Sequence, residues 1–208
     1  TQSTFFDYDR DGDLDLYVAN YPPAGFQNPH AYYREKMDNV PDSDTDHLFE
    51  NDGKGFFKDV TKQSGLLSYG LSLSATVGDF NQDGWSDLYV SNDFSTPDYF
   101  YINNGDGTFR EAIKETTKHI SFYGMGVDVA DFNNDGLLDL IQAEMNPADN
   151  FRSKANMSSM NPPLFWEAVS LDFHYQYMQN SLQLNQGIRE DGLPFFSDVS
   201  RMAGMSST

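Results

Sequence analysis

The chain has 208 residues, of which 32 are acidic and 13 basic, and its formal net charge is −19. A field of that sign repels nucleic acid and anionic membrane surfaces, so cations are expected partners and nucleic acid is not. The absence of cysteine excludes disulfides and thiolate metal sites, and no apolar run reaches the roughly 18 residues of a transmembrane helix. The chain opens at Thr1 rather than at a methionine, as a processed or truncated product would.

Three copies of an acidic nonapeptide follow one another along the chain. They begin at Asp7, Asp79 and Asp131 and share the pattern D-x-[DN]-x-D-G-x-x-D. The last two copies are separated by close to the roughly 40 to 50 residues of a propeller blade. The first spacing is longer because it contains an insertion. Repeat architecture is therefore the leading hypothesis.

Strand-like segments surround each acidic loop. Before the second and third loops, residues 71–77 and 125–129 alternate with period two, which is typical of strands. Further β-prone segments follow the loops at 14–18, 88–90 and 138–141. Turn sequences with Asn-Gly or Asp-Gly steps come next, at 49–57, 101–109 and, more loosely, 184–196. Each repeat thus predicts four antiparallel strands, A to D, which make one blade. An ordinary β-sandwich is the alternative, which the fixed phase of the repeat disfavours.

The fold prediction is all-β, with three four-stranded antiparallel blades in one partial β-propeller. The first blade covers 1–70 and has an insertion between strands B and C at about 20–46. The second covers 71–123. The third covers 124–208, has an insertion at about 145–180 and runs into the start of the next blade. Connections in a meander alternate between two faces. The acidic loops and C–D hairpins should therefore share one face, and both insertions should rise from the other.

The acidic loops predict three calcium sites. Carboxylates crowded into nine residues repel one another unless a cation lies between them. Calcium accepts about six to eight hard oxygens, which loop positions 1, 3, 5 and 9 supply with side chains and position 7 with a backbone carbonyl. The predicted ligands, in loop order, are Asp7, Asp9, Asp11, Asp13 and Asp15; Asp79, Asn81, Asp83, Trp85 and Asp87; and Asp131, Asn133, Asp135, Leu137 and Asp139.

The acidic loops have two alternative interpretations. An EF-hand or dockerin needs an acid at position 12 and a helix after the loop, but Val18, Val90 and Gln142 occupy that position. A single copy could also be a solvated acidic turn. Three copies in register make that reading much weaker.

At these residues the chain resembles the FG-GAP/VCBS repeat family, whose repeats also form the integrin α-subunit propeller. It is most similar to bacterial (Bacteroidota) VCBS-repeat proteins of the ASPIC/UnbV, CRTAC1-like group. The segments that carry the resemblance are 77–84, 87–93 and 101–109, and more loosely 119–121 and 174–180. The resemblance implies a seven-bladed propeller, calcium between strands A and B, and an exported protein at the cell surface or outer membrane. A SusC/SusD-type outer-membrane complex is a candidate partner by the same analogy.

The two insertions are rich in aromatic residues, among them Phe26. Long loops in compact domains are usually functional or disordered, and exposed aromatics suit a glycan or protein surface. The candidate ligand-binding residues are Tyr32, Tyr33, Trp166, His174 and Tyr175. The alternative is that these side chains pack the insertions onto the blades, and a short helix within 163–180 would favour it.

No catalytic residues are predicted. The sequence has no G-x-S-x-G motif and no cysteine, and its four histidines are scattered. We therefore expect a calcium-stabilised binding or scaffold module that recognises a glycan or protein. The alternatives are a part of a propeller-based polysaccharide lyase or hydrolase, and an adhesin whose partner contacts the calcium.

Overall fold

The computed structural model describes residues 2–24, 28–149, 151–152 and 162–207. Three four-stranded antiparallel sheets follow one another, and each has its strands in chain order. The first contains β1 (Ser3–Phe6), β2 (Asp15–Val18), β3 (His47–Asn51) and β4 (Phe57–Asp59). The second contains β5 (Ser72–Gly78), β6 (Asp87–Asn92), β7 (Tyr99–Asn103) and β8 (Phe109–Glu111). The third contains β10 (Gly124–Ala130), β11 (Asp139–Glu144), β13 (Ser181–Ile188) and β14 (Pro194–Asp198).

The remaining elements lie in the connections between these strands. The described residues form helices α1 (His30–Asp38), α2 (Ile113–Thr116) and α3 (Pro162–Ser170). A short parallel pair joins β9 (Ile120–Ser121) to β12 (Gln176–Tyr177). No helix in the described ranges is long and apolar enough to cross a membrane.

The three sheets confirm the prediction of three four-stranded antiparallel units. Their registers repeat as well, since Leu16 pairs with Phe49, Leu88 with Tyr101 and Leu140 with Gln183. The first strand of the second sheet contacts the first strands of both neighbouring sheets. This arrangement of first strands is the one that blades adopt around a propeller axis.

The core lies between neighbouring sheets. Tyr17, Leu48 and Tyr101 belong to the cluster between the first and second sheets. Phe80 and Phe100 belong to the cluster between the second and third, where their rings meet edge to face with centroids 5.0 Å apart. Burying one such side chain is worth about 1.5 to 3 kcal/mol. Both faces of the central sheet are covered, which explains why every residue of β6 and β7 is buried.

The insertions pack onto the second sheet through a third apolar cluster. It contains Tyr33 from α1, Phe94 from the loop after β6 and Phe173 from the segment after α3. The Tyr33 and Phe94 rings meet edge to face at 6.0 Å. The expected short helix is present as α3. The expectation of exposed aromatics is wrong for two residues, because Tyr33 and His174 are buried. Phe26 lies outside the described residues.

Candidate functional site

The three acidic loops have the same backbone shape. Their sixth residue is glycine with a left-handed φ, which an L side chain would strain: Gly12 (+96°), Gly84 (+89°) and Gly136 (+86°). The fourth residue is left-handed as well, in Arg10 (+60°), Gln82 (+57°) and Asn134 (+60°). The invariant glycine of the nonapeptide marks this bend in the sequence, but no single residue type marks the second left-handed position. Two such residues wrap the loop tightly around the oxygens of its side chains.

The first acid of each loop accepts backbone N–H groups from across the loop. Asp79 accepts from Asp83 at 3.0 Å and Gly84 at 2.9 Å. In the first loop, Asp7 uses only Oδ2, which accepts from Gly12 at 3.1 Å. Its Oδ1 is buried and has no hydrogen-bond partner among the described residues. A buried carboxylate oxygen without a partner calls for a cation or a donor.

The last acid of each loop is fully buried. It connects its own strand to the start of the loop and to the hairpin between the third and fourth strands. One oxygen accepts the N–H of the second loop residue, in the pairs Asp15 with Tyr8 (3.1 Å), Asp87 with Phe80 (2.9 Å) and Asp139 with Phe132 (2.9 Å). The other accepts the N–H of a hairpin asparagine, in the pairs Asp15 with Asn51 (2.9 Å), Asp87 with Asn103 (2.9 Å) and Asp139 with Asn185 (2.8 Å). Each of these acids therefore supports the sheet as well as the loop.

Burial and neighbouring charge act together on the pKa of two of these acids, Asp15 and Asp87. Desolvation, helped by the loop carboxylates, raises the pKa of Asp15 to about 6 and that of Asp87 to about 7. Backbone N–H donors partly offset the effect in both cases. A divalent cation would stabilise the ionised forms and reverse the direction of this shift.

The first loop has the donor set that a calcium ion needs. Ligand oxygens of Asp7, Asp9 and Asp15 all lie within 4.8 Å of one another. Asp13, in the same loop, also has a buried Oδ1 without a hydrogen-bond partner among the described residues. All of these donors are hard oxygens, which suit calcium rather than a softer metal. The residues present therefore fit the ion.

The second and third loops differ at their third position. Asn81 donates its Nδ2 to Asp83 Oδ2 at 2.8 Å, and Asn133 does the same to Asp135 at 2.8 Å. An amide in place of a carboxylate lowers the negative charge of these loops. Because calcium affinity depends on ligand charge, a calcium ion would be held more tightly by the first loop than by the other two.

The hairpin asparagines also connect neighbouring sheets. Asn103 donates its Nδ2 to the carbonyl of Tyr8 in the first loop at 2.8 Å, and Asn185 donates to that of Phe80 in the second at 2.9 Å. Sequence reasoning did not assign them this role, although an Asn recurs at this hairpin position in every repeat. The first and second acidic loops are thus each held by the sheet that follows them.

Buried acids also lie at the face opposite the acidic loops, where the insertions are, and they were not predicted from the sequence. Asp98 accepts the Tyr89 hydroxyl at 2.6 Å, the Asn92 backbone N–H at 2.7 Å and Gln142 Nε2, from the third sheet, at 2.7 Å. Burial raises its pKa to about 7, and Glu144 nearby adds to the effect.

The first sheet repeats this arrangement around Asp46. That residue accepts the Tyr17 hydroxyl at 2.7 Å, the Asn20 N–H at 2.6 Å and Ser72 Oγ of the second sheet at 2.8 Å. Its pKa is raised by burial to about 6. In the third sheet Asn180 takes the place of the acid. The sequence does carry a signal for these two acids. The phrase Leu-Tyr-Val-x-Asn occurs in two repeats, and in each it is followed by an Asp just before strand C.

A cavity of about 470 Å³ lies on this face between the two insertions. Its apolar walls are Phe94, Phe122, Tyr123, Leu164, Phe165 and Val169. Its polar lining residues are Asn28, His30, Ser95, Glu167, His174 and Gln176. Of the predicted ligand-binding residues, His174 lines the cavity and Tyr33 is buried in the cluster beside it. Trp166 and Tyr175 are exposed, and Tyr32 is half-buried and packs against that cluster.

A smaller cavity brings His119, Asp198 and Ser200 together. His119 Nε2 is 3.3 Å from Asp198 Oδ2. Its Nδ1 and the Ser200 hydroxyl are both buried without a hydrogen-bond partner in the described part of the chain. Burial lowers the pKa of His119, and Asp198 opposes the effect. Because the hydroxyl is not bonded to the imidazole, this group lacks the geometry of a nucleophile and its base.

Fold and site together define a repeat protein of four-stranded antiparallel sheets, each with an acidic loop between its first two strands. The chain belongs to the FG-GAP-like repeat family, whose sequence profile matches residues 7–90 and 79–141. This confirms the resemblance noted from the sequence.

The chain is also similar to cartilage acidic protein 1. The identity is 29% over 138 residues with the Xenopus tropicalis protein and 28% over 140 residues with the Homo sapiens protein. Both alignments cover 65% of this chain, but 20% and 19% of the relatives. The chain thus spans about a fifth of the length of these relatives.

Proposed function

We propose that this protein is a calcium-stabilised extracellular propeller module that binds a glycan or protein partner through its insertion face. The observation that carries the proposal is the contrast between the two ends of the sheets. The acidic loops are tied into the fold by repeated hydrogen bonds, whereas the insertions form an open apolar cavity flanked by exposed Trp166 and Tyr175. Exposed aromatics beside a concave site are typical of binding surfaces.

Calcium has a structural role in this proposal. Each ion would neutralise one acidic loop, and the hairpin asparagine of the next sheet would transmit that order between sheets. An ion present at about 100 times its dissociation constant adds about 2.7 kcal/mol of stability. The sheets would form part of a seven-bladed ring, as in the family.

An extracellular or cell-surface location follows from the same chemistry. Millimolar calcium outside cells would keep such loops loaded, and the net charge of −19 suits a protein surrounded by cations. A SusC/SusD-type outer-membrane complex remains the candidate protein partner.

Thermal melts and glycan binding test the proposal. EDTA should lower the melting temperature, and calcium added in excess should restore it, while magnesium should restore it less. A glycan array and polysaccharide digests should then show binding without new reducing ends. An EDTA-insensitive melt would reject structural calcium. Release of reducing ends or unsaturated products would instead support the lyase or hydrolase alternative.

The position of the partner is tested separately. Trp166→Ala, on α3, should weaken partner binding and leave the calcium-dependent melt unchanged. Asp83→Ala should lower the melting temperature first. If Asp83→Ala abolished binding with the melt unchanged, the partner would contact the metal, as in an adhesin.

A further inference from the structure

We propose that the cavity between the two insertions binds an apolar cation, meaning a protonated amine carried on an aromatic or aliphatic body. This inference rests on the proposed binding role of the insertion face and adds the chemical class of the ligand. It does not depend on calcium, which concerns the opposite face.

The cavity has the size and walls of a small-molecule site. Its volume of about 470 Å³ falls within the roughly 300 to 1,000 Å³ of ligand pockets. The walls come from separate parts of the chain, with His30 at the start of α1, Phe165 and Val169 on α3, and Phe94 after β6. Phe94 has a φ of +26°, which bulky residues adopt only when their surroundings hold them. A chamber lined by aromatic and aliphatic groups favours a ligand with an apolar body.

His174 provides a hydrogen-bond acceptor in this chamber. The Thr117 hydroxyl donates its one hydrogen to the Ile113 carbonyl at 2.7 Å. His174 Nε2, 3.0 Å from the same hydroxyl oxygen, must therefore be the donor in that pair. Since burial keeps the ring neutral, its pKa being lowered to about 4, Nδ1 is left as an acceptor. The nearby ammonium of Lys114 is paired with Asp172 at 2.7 Å. A ligand that carries an N–H or O–H group would complement Nδ1.

Glu167 gives the cavity its negative charge. Its side chain is 43% exposed, and its carboxylate lies 3.8 Å from His30 Nδ1, which is longer than a hydrogen bond. No lysine or arginine is present among the described lining residues. The aromatic walls also attract cations through their ring faces. A cation is therefore favoured over a neutral ligand, and an anion is disfavoured.

The test compares three ligands that share one body and differ in their head group: phenethylamine, phenethyl alcohol and hydrocinnamate. The full chain is titrated in millimolar calcium at about pH 8, where imidazoles are neutral and alkylamines are charged. Binding is followed by calorimetry and by ligand-observed NMR. We expect phenethylamine to bind about threefold to tenfold more tightly than the alcohol, and hydrocinnamate to bind most weakly.

Two variants separate the contributions of charge and hydrogen bonding. Glu167→Gln should lower the amine-to-alcohol ratio by about twofold or more, leaving only the part that the aromatic walls contribute. Glu190→Gln removes an exposed acid in the hairpin between β13 and β14 and should leave the ratio unchanged. His174→Phe keeps an aromatic ring in the wall but removes the Nδ1 acceptor. It should weaken the amine and the alcohol alike, by about threefold or more. If that variant does not fold, the two glutamate variants decide the question.

The proposal would be overturned by tighter binding of hydrocinnamate, by equal binding of all three ligands, or by an amine preference that Glu167→Gln leaves unchanged. Failure of every probe to bind while calcium still stabilises the protein would reject this site alone. The calcium part of the proposed function would then stand.

Discussion

The two ends of the sheets use buried aspartates in the same way but with different regularity. At the loop end, Asp15, Asp87 and Asp139 each accept two backbone N–H groups, and the pattern is unchanged in all three sheets. At the insertion end, Asp46 and Asp98 form a similar network, but Asn180 replaces the acid in the third sheet. The loop end, which is the same in all three sheets, is therefore suited to support the fold. The insertion end varies between sheets and is suited to a ligand-binding site.

The largest effect should come from removing a buried acid at the loop end. Asp87→Ala leaves the N–H groups of Phe80 and Asn103 unpaired in the core and removes a proposed calcium ligand. We expect a loss of about 4 kcal/mol in the free energy of unfolding, measured by urea denaturation in millimolar calcium. Asp42→Ala, an exposed acid, is the matched control and should change stability by less than about 0.5 kcal/mol. Equal effects of the two variants would contradict the structural role of Asp87.

A smaller loss should follow from breaking the bond between two sheets. Asn103→Ala removes the Nδ2 donor to the Tyr8 carbonyl but keeps the backbone N–H that Asp87 accepts. We expect the free energy of unfolding to fall by about 2 kcal/mol. Calcium binding by the first loop, which contains Tyr8, should weaken as well. Asn104→Ala, its exposed neighbour, serves as the control. Calorimetric titration that found calcium binding unaltered would show that the sheets do not support each other's loops.

At the insertion end the expected signature is a dependence on pH. The pKa of Asp98 is about 7 in the folded protein, above its ordinary 3.8. Between these values the folded protein holds a proton that the unfolded chain has released. The contribution of Asp98 to the free energy of unfolding therefore falls as pH rises from about 4 to about 7.

The Asp98→Asn variant cannot titrate, so it should lack this contribution. As pH rises from about 4.5 to about 8, the free energy of unfolding of the variant should increase relative to that of wild type by on the order of 2 kcal/mol. Chemical denaturation at both pH values measures the difference, with Asp42→Asn as the exposed control. Parallel pH profiles for wild type and Asp98→Asn would show that Asp98 does not titrate in this range.

The smallest effect on stability should be at the exposed aromatics. Trp166 is 60% exposed, so Trp166→Ala should change the free energy of unfolding by less than about 0.5 kcal/mol. Tyr33→Ala, in the buried cluster of the same face, should instead cost about 3 kcal/mol. Thermal melts of the two variants make the comparison. A large loss in Trp166→Ala would mean that α3 holds the fold rather than presents a binding surface.

The difference between the two ends also explains what the sequence could reveal. The acidic loops, hairpins and strands repeat in phase, so one copy supports the interpretation of the next, and the order of strands followed from it. Gly12 and its counterparts marked the bend because few other residues tolerate that backbone. Arg10, at the other left-handed position, gave no such signal because its residue type varies between loops.

The insertion end could not be predicted to the same extent. Insertions occur once each, so no second copy shows which of their aromatics face solvent. Tyr33 and Trp166 are both aromatic residues of an insertion helix, but Tyr33 on α1 is buried whereas Trp166 on α3 is exposed. The cavity depends on packing between segments far apart in the chain, such as Phe94 and Phe165, which local patterns do not encode. Asp46 and Asp98 were missed because an isolated acid before a strand usually faces solvent.

The most direct test of the account is the number of calcium ions that the folded chain binds. Native mass spectrometry after equilibration in millimolar calcium, paired with calorimetric titration, should give three ions, with the tightest at the loop of Asp7, Asp9 and Asp15. Each of the variants Asp7→Ala, Asp79→Ala and Asp131→Ala should remove one. A folded chain that binds no calcium under these conditions, and melts at the same temperature with and without EDTA, would contradict the account.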